Sequence, residues 1–287
     1  MPIIVGVPRS GTTLLRMMID AHPDVAIPPE TGFLPALADL DPTRDAAAAT
    51  GEIITTFHTW PDFGLDAAAL RDTLGRRSPI TPSDAARTFY ASYAECHGKD
   101  RWGDKTPTYG ASIDRIAILL PEARFIHIIR DGRDVMVSVR GLWFRPGDTV
   151  EACAEDWMTR LSHTRALGAT VPHYLEVRYE ALVRQPAATL AGICRFLELR
   201  FDRRMLSYHL RAAERLREHQ ARYAPDGQLL ISQADRVRNQ RFVMEPPQED
   251  RIGRWHAELS EDDVRRFEAV AGEWLDRLGY GTRARAM

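Results

Sequence analysis

The chain has 287 residues, 44% of them hydrophobic, and a formal charge of −2. That length suits one large α/β domain or two small ones, and the apolar share permits a sizeable core. A near-neutral balance supplies no bulk field for nucleic acid or an anionic membrane surface, and no apolar run approaches the ~20 residues of a membrane span.

The first predicted element is a buried strand at Ile3-Ile4-Val5, where every side chain is β-branched. A turn with Gly6, Pro8, Ser10 and Gly11 follows, and then Leu14, Leu15, Met18 and Ile19 recur at helical spacing. Strand, glycine loop and helix form a phosphate cradle, because loop N–H groups and the helix N-terminus point at an anion. Gly6-x-x-x-x-Gly11 matches the first half of a P-loop. Thr12-Thr13 stands where a nucleotide triphosphatase has Lys-Ser/Thr, so Arg9 is the cation of this loop. The plain alternative is an ordinary βα turn, which has no need of the donors on Arg9, Ser10 and Thr12.

Val25-Ala26-Ile27 reads as a short strand leading to Pro28-Pro29-Glu30-Thr31. Residues 32–100 lack strand alternation and are expected to form a helical insertion over the mouth of a sheet. Within it, a helix from Asp66 to Leu74 stops at Gly75, and another opens at Thr81-Pro82-Ser83-Asp84. Arg101 to Pro107 reads as one strand running into a Pro-ended turn, with a helix from Ile113 to Leu120. Phe125-Ile126-His127-Ile128-Ile129 is apolar enough to be buried on both faces, which makes His127 a core histidine with a hydrogen-bond partner. Arg130-Asp131-Gly132-Arg133-Asp134 ends it, and a helix spans Val135 to Leu142. An amphipathic helix over Glu151–Leu167, a strand over Tyr174–Tyr179 and a helix with Leu190, Ile193, Phe196 and Leu197 follow. Residues 211–250 are polar and arginine-rich, either a mobile flap or an exposed helix pair, with a turn at Pro225-Asp226-Gly227. Ser260-Glu261-Asp262-Asp263 resembles a capping box before a last helix ending near Gly279.

Strands alternating with helices imply right-handed βαβ units, a three-layer parallel sheet, and ligands at the carboxyl ends of the strands. Arg9, Lys105, Arg130 and Tyr179 all fall at such ends. Arg130 and Ser138, eight residues apart, could grip one phosphate from two sides if a helix begins near Gly132; read alone, a surface turn of ion pairs is an equal reading, and the phosphate loop one strand away favours the grip. Lys105 is one of two lysines, with Lys99, in a chain whose other cations are arginine. It could hold charge over the loop. Glu30, stiffened by two prolines, is a candidate general base, although an isolated loop glutamate is as a rule simply solvated. Cys96, Cys153 and Cys194 have no metal or disulfide spacing. With a first strand near residue 3 and no signal segment, a cytoplasmic, reducing setting is expected.

Pro8-Arg9-Ser10-Gly11-Thr12-Thr13 resembles the 5′-phosphosulfate loop of sulfotransferases that use 3′-phosphoadenosine 5′-phosphosulfate (PAPS). The run through Asp20-Ala21-His22-Pro23-Asp24-Val25 and Pro29-Glu30-Thr31 is similar to the tyrosylprotein branch. The resemblance spans Ile3 to Leu278 and implies a single domain over 1–287. It implies Arg9, Ser10, Gly11, Thr12 and Thr13 around the phosphosulfate, and Arg130 with Ser138 on the 3′-phosphate. It places Tyr179 near the nucleotide and Arg254 on the donor phosphates. It makes Glu30 the catalytic base and gives Lys105 and Arg9 the transition-state charge, with PAP as product and no metal required. The chain departs from the branch at Leu142, where relatives have an arginine with only Arg140 nearby here, and in the loop 239–248.

The expected reaction is in-line sulfuryl transfer to a hydroxyl, of a peptide tyrosine or of a small phenol, sugar or natural-product alcohol. A P-loop kinase, which lacks its Lys-Ser/Thr pair here, and a non-catalytic nucleotide-binding module are the competing readings. A homodimer is compatible with either.

Overall fold

The computed structural model describes residues 1–224 and 226–281. Strand β1 (Pro2–Val5) is wholly buried, and α1 (Thr12–Asp20) follows the glycine turn. β2 (Val25–Ala26) leads to four helices, α2 (Leu34–Ala38), α3 (Ala47–Thr56), α4 (Ala67–Arg76) and α5 (Pro82–Cys96). The caps lie where the sequence places them: Asp66 accepts from Ala69 N–H at 2.7 Å and Thr81 from Asp84 N–H at 3.1 Å. Gly75 does not stop α4. Its backbone stays helical, and the helix runs on to Arg76.

The single strand expected at 101–107 is two. β3 (Arg101–Trp102) pairs with β2, and β4 (Asp104–Lys105) pairs with β1. Gly103 makes the switch, because a Cβ there would lie 2.8 Å from the Pro2 carbonyl oxygen. Next come α6 (Ile113–Leu119), β5 (Arg124–Ile129) and α7 (Gly132–Val139). α7 starts and ends three residues earlier than the expected span, because the Asp131 carboxylate caps it through Arg133 N–H at 2.9 Å. α8 (Val150–Gly168), β6 (Tyr174–Arg178), α9 (Tyr179–Arg184) and α10 (Pro186–Phe196) complete the alternating part.

Residues 211–250 are not an exposed helix pair. The end of α11 (His209–Leu216) is followed by an antiparallel hairpin of β7 (Arg222–Tyr223) and β8 (Leu229–Ile231), then by α12 (Gln233–Asn239). Of the expected turn, Pro225 lies outside the described residues, while Gly227 N–H bonds the Ala224 carbonyl at 2.9 Å. The chain ends in α13 (Trp255–Glu258) and α14 (Glu261–Arg277), the latter capped by Ser260 through Asp263 N–H at 3.0 Å.

The main sheet has the order β4-β1-β5-β6, all neighbours parallel. The period of two sorts its side chains. Ile3, Val5 and Phe125 pack with α2–α6 on one face, while Ile4, Ile126 and Ile128 pack with α1, α9 and α10 on the other. A third cluster of α7, α8 and α14 gathers round Ile129 at the strand tip. The result is an α/β fold with a parallel four-stranded sheet between helices, and its carboxyl edge faces a cavity of about 880 Å³. Among the described residues no helix is long and apolar enough to cross a membrane.

Candidate active site

The loop after β1 is shaped by close contacts. A Cβ at Gly6 would sit 2.6 Å from the Ile128 carbonyl oxygen, so only glycine lets β1 leave the sheet here. Arg9 is held in the left-handed region at φ 73°, a conformation that costs a non-glycine residue about 1 kcal/mol or more and persists at functional sites. Gly11, at φ 98°, is the N-cap of α1, and a Cβ there would lie 2.5 Å from the Tyr179 ring. No side chain caps α1. Its first N–H groups have no acceptor within the helix, and the positive end of its dipole opens at the cavity rim formed by Gly11, Thr12 and Thr13.

Two arginines meet beside that helix end. Arg9 Nε donates to Ser138 Oγ at 3.1 Å, and its Nη2 donates to the Asn239 carbonyl at 3.1 Å. Arg130, just beyond β5, donates to the Arg9 carbonyl at 3.1 Å and to the Arg251 carbonyl at 2.6 Å. The Tyr179 ring lies under its guanidinium at 4.3 Å. Arg130 Nε is buried with no partner. Burial and the neighbouring Arg130 charge push the Arg9 guanidinium down to about 10, opposed in part by Glu30, while the Asp134 carboxylate lies 3.6 Å from Arg130. Such a pocket is stabilised by an anion.

The second half of the site lies across the loop. Lys105, at the tip of β4, is 2% exposed and donates to Glu30 Oε1 at 2.6 Å and to Thr13 Oγ1 at 3.5 Å. Burial lowers the Lys105 ammonium, and the facing carboxylate offsets this only in part. For Glu30, burial raises the carboxyl, but the Lys105 charge and hydrogen bond outweigh it and hold the group below the usual carboxylate range. His219 and Arg236 add to that pull. The Glu30 side chain remains 47% exposed, so the carboxylate is reachable from the cavity.

A buried polar web fixes this pair. Thr31 Oγ1 and Tyr90 OH both donate to Asp104 Oδ2, at 2.6 and 2.7 Å, and Tyr109 OH lies 2.7 Å from Thr31 Oγ1. Thr31 N–H donates to Thr106 Oγ1 at 3.0 Å. The neighbours of Glu30 and Lys105 are thereby bound to each other, which sets the spacing of the two functional side chains.

The cavity is lined by Arg9, Gly11, Thr12, Thr13, Glu30 and Lys105, together with Arg130, Ser138, Tyr179 and Arg254. Ser10 stands apart: its hydroxyl is buried without a partner and its N–H turns back to the Val7 carbonyl. Arg254 lines the cavity but is paired with Glu258 at 2.7 Å. Arg140 points elsewhere, to Asp263 at 3.0 Å, so it does not stand in for the arginine absent at Leu142. Among the described residues no group of three or more His, Cys, Asp or Glu side chains could hold a metal ion.

A profile of the sulfotransferase family matches residues 3–203, which include β1 to α10 and the loop, Glu30, Lys105, Arg130 and Tyr179. The chain belongs to that family. Protein-tyrosine sulfotransferase 1 of Danio rerio is 29% identical over 99% of this sulfotransferase and 74% of its own length. Protein-tyrosine sulfotransferase A of Caenorhabditis elegans is 27% identical over 98% and 67%. The sulfotransferase domain from the Synechococcus PCC 7002 olefin synthase shares the fold, with a TM-score of 0.59 at 24% identity over 94% of both chains.

Several groups of this sulfotransferase site escape sequence reading. Thr31, Asp104, Tyr90 and Tyr109 are scattered over 79 positions, and nothing local marks them as one web. Asp104 alone carried a signal, a carboxylate directly before the rare lysine. Asn239 and Arg251 act through backbone carbonyls, which side-chain identity does not report.

Proposed function

We propose that this sulfotransferase takes PAPS as donor and passes its sulfuryl group in line to an acceptor hydroxyl, with Glu30 as general base. The observation that carries the reading is the Lys105–Glu30 pair standing over Thr13, at the mouth of an uncapped helix end flanked by Arg9 and Arg130. The unpartnered Arg130 Nε and the crowded Arg9–Arg130 charges fit an anionic group of the donor.

When bound, PAPS supplies a sulfuryl group whose bond to the phosphate oxygen breaks as the acceptor oxygen bonds to sulfur. Glu30 takes the proton of the acceptor hydroxyl on its cavity-facing carboxylate. Lys105 and the α1 N-terminus hold the charge that gathers on the sulfuryl and phosphate oxygens. Arg130 and Ser138 keep the far end of the donor in place, so the reacting atoms stay aligned. The relatives named as protein-tyrosine sulfotransferases make a peptide tyrosine one candidate acceptor. A small phenol, sugar or other alcohol would meet the same base.

Glu30→Gln tests the assignment. Turnover is expected to fall about 10²-fold or more, while PAP binds as in the parent protein by calorimetry. Full activity in Glu30→Gln removes Glu30 as base, and loss of PAP binding in the parent protein removes the donor.

A further inference from the structure

The cavity continues past Glu30 to a mouth built from two segments. One is the connection between α7 and α8, which presents Trp143 and Phe144, with ring centroids 5.6 Å apart and planes nearly perpendicular. The other is the β7–β8 hairpin, which presents Tyr223 and Leu230. Among the described residues eight large apolar side chains are exposed, and these four of them line this one cavity. Trp143 is 57% and Tyr223 60% exposed. Clustered exposure of this kind marks a surface that another molecule covers.

Apart from Arg251, whose nearest carboxylate oxygen, on Asp250, is 3.9 Å away, the cations around the same mouth are already matched. Arg236 grips Asp62 with both Nη atoms at 2.9 Å, and Arg222 reaches the same carboxylate at 2.5 Å. Arg160 is held by Asp156 at 2.7 Å and Arg254 by Glu258 at 2.7 Å. An acidic or strongly polar acceptor would have to break the buried Asp62 pairs to gain Arg222 or Arg236, and a buried pair that loses one member is costly. An apolar body needs only the aromatic and aliphatic faces on offer.

We infer that the acceptor is an elongated apolar molecule with its hydroxyl at one end. The hydroxyl reaches Glu30, and the tail leaves between Trp143–Phe144 and Tyr223–Leu230. This rests on the assignment of Glu30 as base and adds the class of substrate to it.

The test uses a series of 4-alkylphenols, from 4-methylphenol to 4-octylphenol, with PAPS and with a tyrosine-containing acidic peptide in parallel. Products are read as a mass gain of one sulfuryl group. Full burial of a methylene is worth about fourfold, so a groove open on one side should raise kcat/KM about twofold per added carbon. In Phe144→Ser and Leu230→Ser that rise should flatten, with melting temperature and PAP affinity measured to show intact folding. The same phenols are titrated calorimetrically into the complex with PAP, which gives the chain-length slope without turnover. A slope in binding without transfer to any acceptor supports the apolar seat and overturns the reading of this site as one that transfers a sulfuryl group to a phenolic hydroxyl. Transfer to the peptide with no slope along the phenols overturns the apolar seat and leaves the base standing. A slope that survives both serine variants also overturns the proposed seat.

Discussion

Removing Lys105 changes two things at Glu30. The charge proposed to stabilise the departing oxygens disappears, and so does the cation that outweighs burial at the carboxyl. For a Lys105→Met variant the first effect lowers the transfer rate about 10²–10³-fold. The second raises the Glu30 pKa, since burial then acts with less opposition. In the parent protein Glu30 loses its proton below the usual carboxylate range, so the acid limb of kcat/KM should lie at low pH. In Lys105→Met the residual activity should show that limb moved to higher pH, as read from a pH profile of kcat/KM. An unmoved limb would mean that Lys105 does not set the ionisation of the base. Both residues were visible in the sequence because their neighbours are distinctive: two prolines before Glu30, and a lysine in an arginine-rich chain. Their 2.6 Å contact was not, because Glu30 and Lys105 are 75 positions apart and meet only through the Thr31–Asp104 web.

At the scale of elements, the β7–β8 hairpin depends on one carboxylate from the helical region. Asp62 has no exposed side-chain surface and is bonded by Arg222, Arg236 and the Gln220 N–H at 2.8 Å. Burial raises its carboxyl, but His219, Arg236 and Arg222 hold it well below the usual range. Asp62→Ala leaves two half-buried guanidinium groups facing each other. We expect a stability loss of about 3–5 kcal/mol by urea unfolding. Hydrogen exchange should speed up across residues 219–236 more than in β1 and β5. Equal exchange in both regions would show that the hairpin is held by something else. The sequence showed 211–250 only as polar and rich in arginine. A two- and three-residue strand pair with exposed leucines carries too little periodicity to be read, and its anchor lies more than 150 positions away.

For the molecule as a whole, the buried imidazole of His127 links stability to pH. It bonds the Tyr174 hydroxyl through Nδ1 at 2.6 Å, while Nε2 has no partner, so the expected satisfied histidine is satisfied on one side only. Burial, helped by Arg165 and Arg178, lowers it to about 3. The unfolded chain takes up this proton near pH 6.5 and the folded chain does not, so stability falls as the pH drops below that value. The slope contributed is up to about 1.4 kcal/mol per pH unit. Urea titrations between pH 6.5 and 5 should show it in the parent protein and lose it in His127→Phe; a slope unchanged by the substitution would place its origin elsewhere. The layered fold was legible from the apolar strands β1 and β5, the strand at Tyr174–Arg178 and the helices between them. The path of 101–105 was not, because Gly103 passes the chain from one sheet to another within five residues.

Arg9 and Arg130 hold the backbone at Asn239 and Arg251 with the outer nitrogens of their forks, while Arg130 keeps its inner nitrogen unbonded. The struts that brace the enclosing wall are thus the same side chains proposed to greet the nucleotide. Emptying the chamber takes no brace away. The chamber that meets an incoming donor is therefore already shaped by contacts within the chain.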